Sequence, residues 1–156
     1  MTQNSLTPEQ PQAPTPPPRR EDSPRPAEGY SGDLAPELAH AWLGQDDAVL
    51  VDVRTDAERA WVGFVPGALA LSWKTWPGMA LNPDFDAGLG QAVPKDKKVL
   101  MLCRSGVRSV DAAKRASQLG WEAYNVLEGF EGDADADGHR GNRGGWRFRG
   151  LPWRQT

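Results

Sequence analysis

The chain has 156 residues, 38 % hydrophobic and 25 % charged, with a formal net charge of −3. That length suits one domain that buries its own core, and the mildly acidic balance gives no reason to expect a nucleic-acid partner. One cysteine and two histidines exclude an internal disulfide and a zinc site of the usual spacing, so neither metal nor cofactor is expected.

The first residues, "MTQNSLTPEQ", have neither the apolar stretch nor the basic start of a secretory signal, and no segment is long and apolar enough to cross a bilayer. A cytoplasmic chain with a reduced thiol and no membrane partner is the expectation. Residues 1–29 are dense in proline and poor in large apolar side chains, which predicts a disordered, polyproline-like tail. Within it "PPPRR" could serve a proline-binding module, but a solvated linker explains it as well. Residues 30–156 read as one folded domain.

Leu34, Leu38, Ala41 and Trp42 fall at helical spacing, with Asp33 as cap and Gly44 as stop. "AVLVDV" (48–53) is a short valine-rich run and predicts a buried strand. "TDAE" (55–58) has the form of a capping box opening a short helix. "PGALAL" predicts a turn and a further strand. "KKVLMLC" (97–103) is a second buried strand. Val107, Val110, Ala113, Ala116 and Leu119 then repeat at helical intervals, Asp111 and Arg115 are spaced to pair on the exposed face, and Gly120 ends the helix. "AYNVL" (123–127) is another strand.

Alternating strands and helices predict an α/β domain, a parallel sheet with helices on both faces. Ligands in such sheets bind beyond the carboxyl ends of the strands. Three segments converge there: Asp52–Arg54, Cys103–Arg108 and Glu128–Phe130.

The lone cysteine, Cys103, stands where the apolar run ends and "RSGVRS" begins. A helix starting in this loop leaves unpaired backbone N–H groups near the sulfur. Gly106 allows the backbone to turn back and form an anion-binding nest, while Arg104 and Arg108 add positive charge. All of these favour thiolate over thiol, which is what a nucleophilic cysteine requires. Cys103 is therefore the candidate catalytic residue, with Arg104, Ser105, Gly106, Val107, Arg108 and Ser109 as the candidate substrate cradle. This reading requires a sulfur that an incoming anion can reach. The plain alternative is a strand-end cysteine beside solvent-facing arginines. Nothing ties His40 or His139 to the thiol as a base, and disulfide exchange lacks a second cysteine.

"LVDVRTDAE", "GFVPGAL", "CRSGVRS" opening a helix, then "GW" before a strand and "GLPW" near the end together resemble a single-domain rhodanese, a thiosulfate-type sulfurtransferase, over roughly residues 31–154. The resemblance implies a rhodanese-like fold and a persulfide carried on Cys103. It implies a small anionic sulfur donor and, as acceptor, a thiol, cyanide or a sulfur-carrier protein. Related phosphatases place five residues between cysteine and arginine, whereas here Arg104 to Val107 are four. The shorter loop should cramp a phosphate, though arsenate reduction stays compatible with it. A partner-binding or regulatory module without turnover is the alternative from another class.

Two features depart from the family pattern. Phe64 occupies the usual histidine position in "GFVPGA", and residues 128–145 are longer than the usual turn, as a lid or acceptor-docking loop would be. Inside that loop "DADADG" imitates the start of a calcium loop, but its twelfth position is Gly144, where glutamate is needed. The basic closing segment, with Arg143, Arg147 and Arg149, reads as solvated charge around packing tryptophans Trp146 and Trp153. Asp52 and Arg54 are expected to brace the thiol loop or pair with each other and Glu58. Trp73 and Trp76 are expected in the pocket wall or the core.

Overall fold

The computed structural model describes residues 22–156. The remainder of the proline-rich tail, with "PPPRR", lies outside the described residues. Ordered pairing begins before Tyr30: Arg25 and Asp33 exchange two backbone hydrogen bonds of 2.8 and 2.9 Å.

The elements run β1 (Gly32–Leu34), α1 (Pro36–Leu43), β2 (Ala48–Asp52), α2 (Asp56–Trp61), β3 (Leu69–Ala70), β4 (Lys74–Thr75), β5 (Ala80–Leu81), α3 (Phe85–Ala92), β6 (Lys98–Leu102), α4 (Arg108–Gln118) and β7 (Ala123–Val126). Five strands form one parallel sheet in the order β1-β7-β6-β2-β3, and β4 with β5 makes a separate antiparallel hairpin. The α/β architecture is as the sequence predicts.

The two-residue period of a strand divides the core between the two faces of the sheet. Val99, Met101 and Cys103 of β6 and its end join Val51, Val53, Phe85, Leu89, Ala112, Ala113 and Ala116 under α3 and α4. Leu100 and Leu102 point the other way, into the cluster of Leu38, Ala39, Tyr124, Val126, Phe130 and Trp146 under α1. Burying each of the large aliphatic side chains contributes about 1.5–3 kcal/mol. Alternation therefore delivers Cys103 to the face that α4 covers. Three alanines on the buried stripe of α4 let it pack closely against β6 and β7.

Several local expectations are corrected. Asp33 does not cap α1; it lies in β1, and the helix starts at Pro36 with Ala35 extended before it. Proline suits the first helical position and disfavours helix in the residue ahead of it. Val107 is outside α4 and 73 % exposed, and the buried stripe of the helix begins at Ser109 instead. Arg115 does not pair with Asp111; it reaches Asp86 at the start of α3. Gly120 follows α4 with φ 107°, as a helix stop should.

Candidate active site

Cys103 follows the last residue of β6, and its Sγ accepts a hydrogen bond from the backbone N–H of Gly106 at 3.1 Å. Gly106 has φ 100°, a conformation that turns the chain back over the sulfur and that a side chain would strain. The loop is held from the far side as well. Phe130 N–H donates to Cys103 O (2.7 Å) and Glu131 N–H to Arg104 O (2.9 Å). These two bonds dock the segment after β7 against the cysteine turn.

Behind the sulfur lies a buried polar chain. Ser109 Oγ is 3.1 Å from Sγ and 2.5 Å from Asn125 Oδ1. Asn125 Nδ2 donates to Asp33 Oδ1 (3.0 Å), which also accepts from the Tyr30 hydroxyl (2.8 Å). Ser109 and Asn125 are buried. Burial and the adjacent Asp33 push the Tyr30 phenol up to about 12, so it stays a donor.

The two arginines of the loop have different fates. Arg104 is exposed. Arg108 is bound by both carboxylate oxygens of Glu58, at 2.7 and 2.8 Å. Burial by itself would raise the Glu58 carboxyl, but the Arg108 guanidinium and the Thr55 N–H outweigh it and hold Glu58 at about 2. Glu58 sits there because "TDAE" forms a complete capping box: Thr55 Oγ1 accepts from Glu58 N–H, and Glu58 Oε1 accepts from Thr55 N–H. The positive charge that Arg108 brings to the loop is therefore matched by Glu58.

Arg54 and Asp52 pair with each other (3.0 and 2.8 Å), not with Glu58. Arg54 also donates to Gly63 O and stacks over the Phe130 ring, with 4.2 Å to the centroid. This fully buried pair clamps the end of β2 to the segment after β7.

A cavity of about 590 Å³ opens beside the loop, lined by Thr55, Glu58, Trp76, Met79, Arg104, Arg108 and Glu131 among others. Its walls carry two acidic and two basic side chains, so it is balanced in charge. Cys103 is not one of its lining residues and is 1 % exposed. The requirement for a reachable sulfur is thus not met in this arrangement, in which the Gly106 N–H of the turn meets Sγ on one side and Ser109 lies behind it. Ser105 and Gly106 are half-buried within the turn. Trp76 lines the cavity, whereas Trp73 packs edge-on against Phe85 in the core.

The family model for the rhodanese-like domain matches residues 35–136. The chain belongs to the rhodanese-like family. Among solved structures it resembles Rv0390 from M. tuberculosis, with 44 % identity and a TM-score of 0.75 over 81 % of this chain and 99 % of that one. A protein named sulfurtransferase from Allochromatium vinosum is 37 % identical over 92 residues, 59 % of this chain and 76 % of that protein. RC0915 from Rickettsia conorii is 35 % identical over 121 residues, covering 71 % of this chain and 86 % of that protein.

Other sequence features of this rhodanese-like domain serve its architecture. Asp135 in "DADADG" turns its carboxylate inward to the N–H groups of Asp137 and His139 and to Asn142 Nδ2. His139 is held there by its backbone, while His40 packs edge-on against Trp146. Phe64 forms an antiparallel bridge with Arg154. The long loop folds back on itself, with Gly141 N–H donating to Glu131 O and Glu128 accepting from Gly145 N–H. Among the described residues no helix is long and apolar enough to cross a membrane, and no cluster of metal-ligating side chains occurs. Sequence reading missed Asn125 and Asp33, which extend the hydrogen-bond chain from Ser109, and Glu58 as the partner of Arg108. Only the capping box hinted at any of them.

Proposed function

We propose that this rhodanese-like protein is a sulfurtransferase that carries sulfane sulfur as a persulfide on Cys103. The observation that carries this reading is the Gly106 N–H aimed at Sγ in a turn that opens a helix. Such a donor stabilises a sulfur anion, whether thiolate or persulfide.

In the proposed reaction the Cys103 thiolate attacks the outer sulfur of thiosulfate. The new S–S bond forms as the old one breaks, and sulfite leaves with the electron pair. Sulfite needs no proton, so no histidine base is required. An acceptor nucleophile such as cyanide, a small thiol or the thiol of a carrier protein then takes the terminal sulfur and regenerates the thiolate. Arg104 supplies attraction for the anionic donor, and the amides of Ser105 to Ser109 supply the cradle. Since Cys103 is 1 % exposed, the mechanism also demands that the Arg104–Val107 turn swing toward the cavity when donor arrives.

Incubation with thiosulfate should add about 32 Da, one sulfur atom held on the thiol, and Cys103→Ser should abolish the gain. No gain from thiosulfate, mercaptopyruvate or an organic persulfide would end this reading. The same burial of Cys103 favours a second one, a partner-binding module without turnover, which that negative result would leave in place. Aryl-phosphate hydrolysis, assayed alongside, is expected to be absent because the four-residue turn is too tight for a bound phosphate.

A further inference from the structure

The hydrogen-bond chain behind the sulfur has a direction, and that direction bears on the protonation of Cys103. Asp33 Oδ1 accepts from Asn125 at 3.0 Å. A carboxylate oxygen offers no proton, so the nitrogen of the Asn125 amide must face it and the amide cannot be reversed. The Asn125 carbonyl oxygen is thereby turned toward Ser109, 2.5 Å away. That oxygen is also a pure acceptor, so the single hydroxyl proton of Ser109 lies between these two atoms. Nothing is left for Ser109 to donate to sulfur. The 3.1 Å contact between Sγ and Oγ is then made by the S–H of Cys103 donating to Ser109.

We propose that Asn125, oriented by Asp33, is a positioning residue that holds Ser109 as an acceptor and so keeps Cys103 protonated in the resting protein. Ionisation breaks the S–H bond, with its proton going to water or a buffer base. Ser109 then turns its O–H from Asn125 Oδ1 to the sulfur and leaves the carbonyl without its donor. The resting thiol and the activated thiolate thus correspond to two positions of one buried hydroxyl. The proposal rests on the reading of Cys103 as the reactive nucleophile, but its test needs no sulfur donor.

Altering Asn125 adds and removes no charge, and the charged groups on the elements around the thiol loop are these. From the end of β2 and the loop after it come Asp52 and Arg54, paired with each other, and from α2 comes Glu58, paired with Arg108 of α4. The turn contributes Arg104. After β7, Glu128 is paired with Arg149 and Glu131 lines the cavity. Asp33 and Tyr30 flank Asn125 on the β1 side. Altering Asn125 also takes a donor from Asp33, so the part of the shift that reports the hydroxyl is the part that Ser109→Ala abolishes.

The full chain has one thiol, so its pH-dependent alkylation by iodoacetamide reads Cys103 alone. In Asn125→Ala the Ser109 hydroxyl is free to donate to sulfur, and the midpoint should move to lower pH by about one unit, since a hydrogen bond to the charged form favours it. In the double variant Asn125→Ala/Ser109→Ala the downward shift should vanish relative to Ser109→Ala. An Asn125→Ala midpoint that stays put or moves to higher pH overturns the proposal. Should that variant not fold, the wild-type side-chain amide resonances of Asn125 decide it. They should move with the same midpoint as Cys103 alkylation, and resonances that stay fixed through that range overturn the proposal equally. A protein that passes either test yet gains no sulfur from any donor would sink the sulfurtransferase reading alone.

Discussion

Glu58 and Arg108, 50 residues apart, face each other with two parallel hydrogen bonds of 2.7 and 2.8 Å. The arginine that sequence spacing offers as an anion hook is thus already held by a carboxylate from the capping box of α2. Its planar fork is matched bidentately, the strongest geometry such a pair has.

Neutralising that carboxylate should release the arginine toward the cavity. Glu58→Gln keeps an acceptor for the Thr55 N–H and removes the charge opposing an incoming dianion. Persulfide formation from thiosulfate is expected to quicken by roughly threefold to tenfold, the factor for about 1 kcal/mol of added attraction. Arg108→Ala acts in the opposite sense on the fold, costing about 1–3 kcal/mol because a half-buried Glu58 loses its partner. Stopped-flow loading rates and denaturant melts separate the two effects. A Glu58→Gln protein that loads no faster would show that Arg108 does not meet the donor.

The same pair sets an acid limit on stability. Glu58 is held at about 2 in the folded chain against an ordinary 4.5. Because the folded-state value is depressed, the unfolded chain takes up the proton first as pH falls. The contribution is complete above about pH 5 and disappears as pH drops toward 2; it is about 2 kcal/mol once solvent screening of this partly exposed pair is allowed for. Melting temperatures of wild type and Glu58→Gln should differ by a constant amount between pH 6 and 8, and the gap should close between pH 5 and 2. A gap unchanged at pH 3 would refute this assignment.

What could be read from the sequence was whatever is encoded locally. The apolar runs of β2, β6 and β7 are too short for helices and buried on both faces, so their strand character is written in composition. The Thr55 box and the Gly106 turn are equally local, and both are in place. Helix α3 went unread because Gly88 and Gly90 dilute its pattern, although Phe85 and Leu89 anchor it in the core. Strand β1 is only three residues long and carries Asp33, which mimics a helix cap. The contacts that decide the state of the thiol, Ser109 with Asn125 and Asn125 with Asp33, join segments up to 92 residues apart. No spacing rule reports such pairs. They follow from β7 lying between β1 and β6, an order that the local pattern leaves open.

Gly129 is the backbone point on which the cysteine turn rests. It has φ 65°, and a Cβ there would lie 2.5 Å from both Cys103 O and the Arg104 carbonyl carbon. Those atoms belong to the main chain and cannot rotate away. Gly129→Ala should therefore push the turn off its seat, weakening the Phe130 N–H bond to Cys103 O and destabilising the fold by about 2–4 kcal/mol. Hydrogen exchange at the Phe130 and Glu131 amides should rise together. Protection unchanged at both amides would mean that the turn is held from elsewhere.

Burial of Cys103 makes a prediction about reagent size. With the residue 1 % exposed, a reagent reaches Sγ only while the Arg104–Val107 turn is displaced, and the displacement needed grows with the reagent. Iodoacetamide should modify the native protein measurably, whereas a dye-bearing maleimide should react at least about 100-fold more slowly than it does with the unfolded chain, the factor for an opening that costs ~3 kcal/mol. Loading with thiosulfate puts a nucleophilic persulfide at the same place, so a reagent added afterwards should alkylate the outer sulfur. A reductant that cleaves the S–S bond should then release that label but not the thioether formed without thiosulfate. Equal maleimide rates for native and unfolded protein would mean that the turn does not cover the sulfur in solution, and loading would need no loop movement.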